Sequence, residues 1–139
     1  MSEAVIINEN SDPEIPGDVG VFSTADAAAL YLEPWFADEP HLILSVSGRR
    51  FRMVSDDDVH VRLELLEDAP VRPEVARRFL LSHFCGMNLD NAVNADRFRL
   101  SDGELAGMDN QTLAELILSY EAKSLWRRFC EYIKQISSA

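Results

Sequence analysis

Between His41 and Leu65 the chain alternates side-chain character with a period of two in three consecutive runs, a pattern that helices cannot accommodate. In the first run, His41 to Ser47, Leu42, Leu44 and Val46 alternate with His41, Ile43, Ser45 and Ser47. In the second, Arg50 to Val54, Phe51 and Met53 alternate with Arg50, Arg52 and Val54. In the third, Val59 to Leu65, Val59, Val61, Leu63 and Leu65 alternate with His60, Arg62 and Glu64. Ser47-Gly48 supplies a tight turn after the first run and Ser55 to Asp58 a looser one after the second, so the pattern predicts an antiparallel meander. One face is expected to be aliphatic and internal. The other carries Arg50, Arg52, His60, Arg62 and Glu64, a partly basic stripe either solvated or covered by something acidic.

The flanks read as helix. Phe22 precedes Ser23-Thr24-Ala25-Asp26, whose hydroxyl and carboxylate three residues apart predict a capped helix beginning at Ser23, running to about Leu32 and ended by Pro34. After Ala69 to Pro73 a second helix is expected, with Pro73 in its first turn and Val75, Ala76, Phe79, Leu80, His83 and Phe84 on its apolar side; Gly86 stops it. Residues 86–100 read as a loop, with or without a short turn of helix, Ser101 to Glu104 as the cap of a short helix, and Thr112 to about Ile136 as one bent helix or two abutting ones. A phase slip near Glu121 to Ser124 leaves those two open. The expected class is α+β: a small antiparallel sheet of three to four strands with an N-terminal helix and an all-helical C-terminal half. A chain of 139 residues is sized for a single domain, with residues 1–18 expected as a tail whose Val5 to Ile7 can add an edge strand, 19–66 as helix plus meander and 73–137 as helical.

Charge separates the two ends. The first 48 residues hold nine acids and no Lys or Arg, whereas the rest holds fifteen acids and thirteen bases. A net charge of −11 argues against phosphate-mediated nucleic-acid binding, which depends on cationic side chains releasing counterions. It favours a basic partner or simple solubility. No apolar run reaches membrane-spanning length and the N-terminus lacks a secretory pattern, so the reading is cytoplasmic, with no membrane partner. Cys85 and Cys130 read as two buried thiols without a disulfide.

Catalytic and cofactor signatures are missing from the sequence. Asp56-Asp57-Asp58 lacks the alternation, central glycine and distal Glu of a calcium loop, and the His and Cys spacings match no structural zinc pattern, so neither metal nor cofactor is expected. There is no nucleophile elbow, phosphate loop, dinucleotide fingerprint or zinc-protease motif. An enzyme would have to assemble its site from scattered residues. More telling is Tyr31-Leu32-Glu33-Pro34-Trp35-Phe36 followed by Asp38-Glu39-Pro40. Its aromatics either close one end of the core or form an anchor ringed by carboxylates, the composition of a hot spot for a basic protein. The expected contacts are Asp26, Glu33, Trp35, Asp38 and Glu39.

The Phe22 to Ala27 stretch, Tyr31-Leu32-Glu33-Pro34 and the meander leading to a helix at Pro73 resemble small bacterial α+β proteins associated with the immunity proteins of polymorphic-toxin systems. The likeness covers residues 19 to 85, with Leu100 to Leu118 similar to that group's C-terminal capped helices. The sequence departs from the group's hairpin, reading Ser45-Val46-Ser47-Gly48-Arg49 there. The resemblance implies a non-enzymatic inhibitor that binds a basic toxin, as a monomer or homodimer. A subunit self-associating through Leu118, Leu125 and Trp126 on the C-terminal helix is the alternative reading.

Overall fold

A computed structural model describes residues 3–137. Strands β1 (Val5–Glu9), β2 (Asp18–Phe22), β3 (His41–Ser45), β4 (Arg50–Ser55) and β5 (Val61–Leu65) form one antiparallel sheet in the order β2-β1-β3-β4-β5. Helix α1 (Ala25–Tyr31) and a 3-10 turn (Pro34–Asp38) lie between β2 and β3, and helices α2 (Pro73–Gly86), α3 (Asn91–Phe98), α4 (Asp102–Gly107) and α5 (Asn110–Ser137) follow β5. The fold is mixed, helical and antiparallel, but its sheet has five strands where three to four were expected.

The two strands beyond the meander are β1, from the segment expected to be a tail, and β2, from Val19 to Phe22, a short run that itself reads as β-like. β1 is neither tail nor edge: it sits between β2 and β3, with Val5 opposite Phe22 on one side and Ser45 on the other. Its uninterrupted Ala4-Val5-Ile6-Ile7 explains this, since a strand covered on both faces reads as a continuous apolar run. The polar stretch that suggests a tail is the loop between β1 and β2. Asn8, wholly buried, organises that loop. Its amide nitrogen donates to the carbonyls of Pro13 (2.8 Å) and Ile15 (2.9 Å), and its oxygen accepts from the Gly17 amide (2.9 Å).

The sheet is covered on both faces, so a single internal aliphatic face is also corrected. Ile6, Val19, Val21, Leu42 and Leu44 meet Val75, Phe79 and Leu80 of α2 and Leu113 and Ile117 of α5. Val5, Ile7 and Ile43 lie on the opposite face beneath Ala28, Leu32 and Phe36, with Phe51, Met53, Val61 and Leu63 extending that cluster toward β5. β3, apolar in every position from Leu42 to Leu44, belongs to both cores. Beyond it, Arg50, Arg52, Arg62 and Glu64 lie on the α2–α5 side of the sheet, partly to fully open to solvent.

Caps account for most helix starts. Thr24, one residue later than expected, accepts from the Ala27 amide (3.0 Å), which leaves Asp26 in the first turn and outside a capping box. Residues 90–98, expected as loop with at most a short turn of helix, fold as α3 because the Asp90 carboxylate accepts from the Ala92 and Val93 amides. Gly48 turns the chain between β3 and β4 at φ 89°, and a Cβ there would lie 2.2 Å from the Arg72 carbonyl carbon, so the position demands glycine twice over. α5 is a single continuous helix. The two thiols expected to be buried are not, since Cys85 is exposed and Cys130 half-buried.

Candidate functional site: an acidic cleft along a free sheet edge

Among the described residues β2 pairs with β1 alone, so its outer backbone is an open edge. A cleft of about 530 Å³ runs beside it. Gly20, paired with Ile7 and therefore on the α1 side of the sheet, lines the cleft and places no side chain in it. A Cβ at Gly20 would approach the Phe22 ring to 3.1 Å. Phe22 is covered by Tyr31, ring centroids 5.1 Å apart, and this pair forms one wall. Leu32, Trp35 and Phe36 form the other.

The 3-10 turn divides the two aromatics of the Pro34-Trp35-Phe36 sequence. Pro34 occupies its first turn, Phe36 points inward at 7% exposure, and Trp35 stands outward at 59%. Core closure, the first of the two sequence readings of this pair, holds for Phe36 and not for Trp35. Phe36 closes the core against His41 (centroids 5.0 Å), while Trp35 is presented edge-on to it and donates its indole N–H to the Glu33 carboxylate.

Four carboxylates line the cleft, from Glu9, Asp18, Glu33 and Glu121, and no Lys or Arg does. Glu9 and Asp18 face each other directly across the β1–β2 ladder. Like charges in that position oppose folding, so this is charge held in place by the surrounding structure. On the helical side, His83 bonds Glu121 at 2.8 Å, joining α2 to α5 at the cleft's far wall. Glu39 lines an adjoining hollow that shares Glu9 and Asp18 with the cleft, extending the negative surface around the end of β2.

Of the five residues expected from sequence, Glu33 and Trp35 are in the cleft and Glu39 is next to it. Asp38 closes the 3-10 turn and lines neither hollow. Asp26 is elsewhere: it lines a separate hollow with Glu3, Arg49 and Phe51. Sequence reading missed Glu9 and Asp18, assigned to a tail, and Tyr31 and Glu121. For Glu9 and Asp18 the signal was present in the absence of any Lys or Arg before Arg49. Glu121 is brought in by packing more than a hundred positions from Asp18 in sequence, which no local pattern reports.

Among the described residues, no three His, Cys, Asp or Glu side chains gather in a metal-holding arrangement, and no helix is long and apolar enough to cross a membrane. Comparison with protein-family descriptions, with curated proteins and with solved structures finds no match to the chain.

Proposed function

We propose that the chain is a non-enzymatic binding module that receives a basic, extended segment of another protein along β2. The observation that carries this is the coincidence in one cleft of an open strand edge, an exposed tryptophan and four carboxylates without a fixed cation. Each supplies a different part of recognition. The strand edge offers main-chain hydrogen bonds to an added strand. Trp35, with Tyr31 beside it, supplies apolar contact area at the centre. Glu9, Asp18, Glu33 and Glu121 steer cationic side chains into place and set a salt-sensitive association rate. Inhibition of a basic toxin, implied by the resemblance to immunity proteins, is the specific form of this reading, in which the occupied edge keeps the partner's basic surface from its own target.

The test uses Trp126→Phe protein, in which Trp35 is the remaining tryptophan, and follows its fluorescence as a short peptide alternating Lys and Val is added. Saturable binding is expected, weakening as salt rises, and lost when Glu replaces Lys in the peptide. Trp35→Ala, followed by a label on the peptide, should weaken binding about tenfold or more. Absence of saturable binding at low salt, or equal binding by protein carrying Glu9→Gln, Asp18→Asn and Glu33→Gln together, would overturn the proposal.

A further inference from the structure

Helix α5 changes its apolar face partway along. Leu113, Ile117, Tyr120 and Ser124 form the row buried in the body, and the same row continues as Arg127, Glu131 and Lys134. A second row, Leu118, Ala122, Leu125, Phe129, Tyr132 and Ile136, lies roughly 130° around the helix at 100° per residue. The phase slip in the sequence is this exchange of faces along one helix. After Ser124 no described residue of α5 is buried, yet Leu125, Trp126, Phe129, Tyr132, Ile133 and Ile136 are between 43% and 68% exposed.

We propose that this second row is the interface of a homodimer, formed by antiparallel pairing of the outer half of α5 with the same segment of a second copy. Three features select a second copy as the occupant. The row steps by four and three residues in alternation, the spacing of a two-helix seam, with Trp126 and Ile133 widening it on one side. Reversing the direction of the segment exchanges Leu125 with Ile136 and Phe129 with Tyr132, so a two-fold axis between Cys130 and Glu131 brings these four apolar residues onto one another, with Trp126 and Ile133 falling opposite Gln135 and Arg128 at the flank. The six exposed side chains offer on the order of 800 Å² per chain, which is what one partner contributes to a stable interface of standard size.

The root of the row supports the same geometry. Leu118, Ala122 and Leu125 face Met87 and Leu89 across a second cleft, of about 520 Å³. In the antiparallel register Ile136 of the second copy packs at Leu125, on the lip of that cleft. The pairing also places the helix macrodipoles in opposition, which is favourable. The acidic cleft at β2 uses none of the six residues and meets the second cleft at His83 and Glu121, which line both.

Sedimentation equilibrium of the full chain should show a mass that rises twofold with concentration. Phe129→Glu with Tyr132→Glu should hold it at the monomer mass with unchanged circular dichroism, because both side chains are exposed. Orientation is read by cross-linking in Cys85→Ser, Cys130→Ser protein. Mixing Leu125→Cys copies with Ile136→Cys copies should yield a disulfide-linked pair, while each alone should not. A wild-type chain that stays monomeric at hundreds of micromolar, or that remains dimeric with both glutamates, would overturn the interface. Cross-linking of Ile136→Cys with itself and not with Leu125→Cys would overturn the antiparallel arrangement.

Discussion

The two edges of the sheet handle charge in opposite ways. At the β4–β5 edge Arg52 bonds Glu64 at 2.7 Å, and Arg62 reaches both Asp56 (3.0 Å) and Glu64 (3.3 Å), so two arginines of the basic stripe meet their counter-charges within their own hairpin. At the β2 edge Glu9 and Asp18 stand opposite each other, and no ion pair among the described residues includes either, Glu33 or Glu39. Both charged residues of the edge strand β5, Arg62 and Glu64, are thus paired. Those named at the β2 edge are not, and that edge is also the one with an exposed tryptophan and a cleft. A surface that neutralises itself needs no partner, whereas like charge held across a ladder costs folding free energy that another interaction must offset.

The β2 edge stands on one buried amide, and this is where the largest effect is expected. Asn8→Leu keeps the volume but leaves the Pro13 carbonyl and the Gly17 amide without their partner, and the Ile15 carbonyl with only the Asn10 side-chain amide (3.0 Å). Loss of about 2 kcal/mol is expected by denaturant unfolding, since each partly buried bond removed carries a cost of its own. Hydrogen exchange should show lost protection first in β2, while β4 and β5 keep theirs. Uniform loss across all five strands would mean that the two edges are not separate in stability.

Asn8 also marks where sequence reading reaches its limit. The meander, α1, α2 and the cap of α4 are legible because their signals are local: period two, a hydroxyl at a helix start, a proline in a first turn. β1 is not, because its central place depends on pairing with residues some forty positions away, while the nearby Asn, Ser, Asp and Pro speak only for the loop. α3 was missed for another reason. Only Val93 and Arg97 of its eight residues are buried, too few to produce a helical period, so Asp90 was its one signal. The site divides along the same line. Glu33 and Trp35 are legible as neighbours in sequence, whereas the apposition of Glu9, Asp18 and Glu121 exists only after folding.

If the charge at β2 is held against its own repulsion, removing it should help the fold. Asp18→Asn is expected to stabilise the protein by about 0.5 kcal/mol, the scale of a directly opposed cross-strand pair, while weakening binding of the Lys-Val peptide. Arg52→Ala at the other edge should move stability the opposite way and by less, because its ion pair is solvent-exposed. Thermal melts of the two variants at low salt, repeated at high salt, measure this difference in sign. High salt should shrink both effects. Two variants that destabilise alike would remove the contrast between the edges.

The smallest effect lies in the turn that joins β4 to β5, where charge is satisfied most locally. The His60 ring bonds the Asp57 carboxylate (2.8 Å), which also accepts from the backbone amides of His60 (2.6 Å) and Val59 (2.7 Å). These bonds, the His60 ring foremost, lower the Asp57 pKa to about 2, and the Asp57 partnership raises that of His60 above its ordinary 6.5. The two shifts act at opposite ends of the pH scale. The Asp57 contribution is present above its unfolded value near 3.8 and is lost as pH falls through about 2. The His60 contribution is present below 6.5 and is lost as pH rises through the higher folded value. The turn is therefore tightest between those limits, and NMR titration of the His60 ring should give a midpoint above 6.5 that falls back in Asp57→Asn. Because this pair is satisfied within its own turn, the same substitution should leave peptide binding at β2 unchanged; a change there would show that the two edges share one electrostatic system.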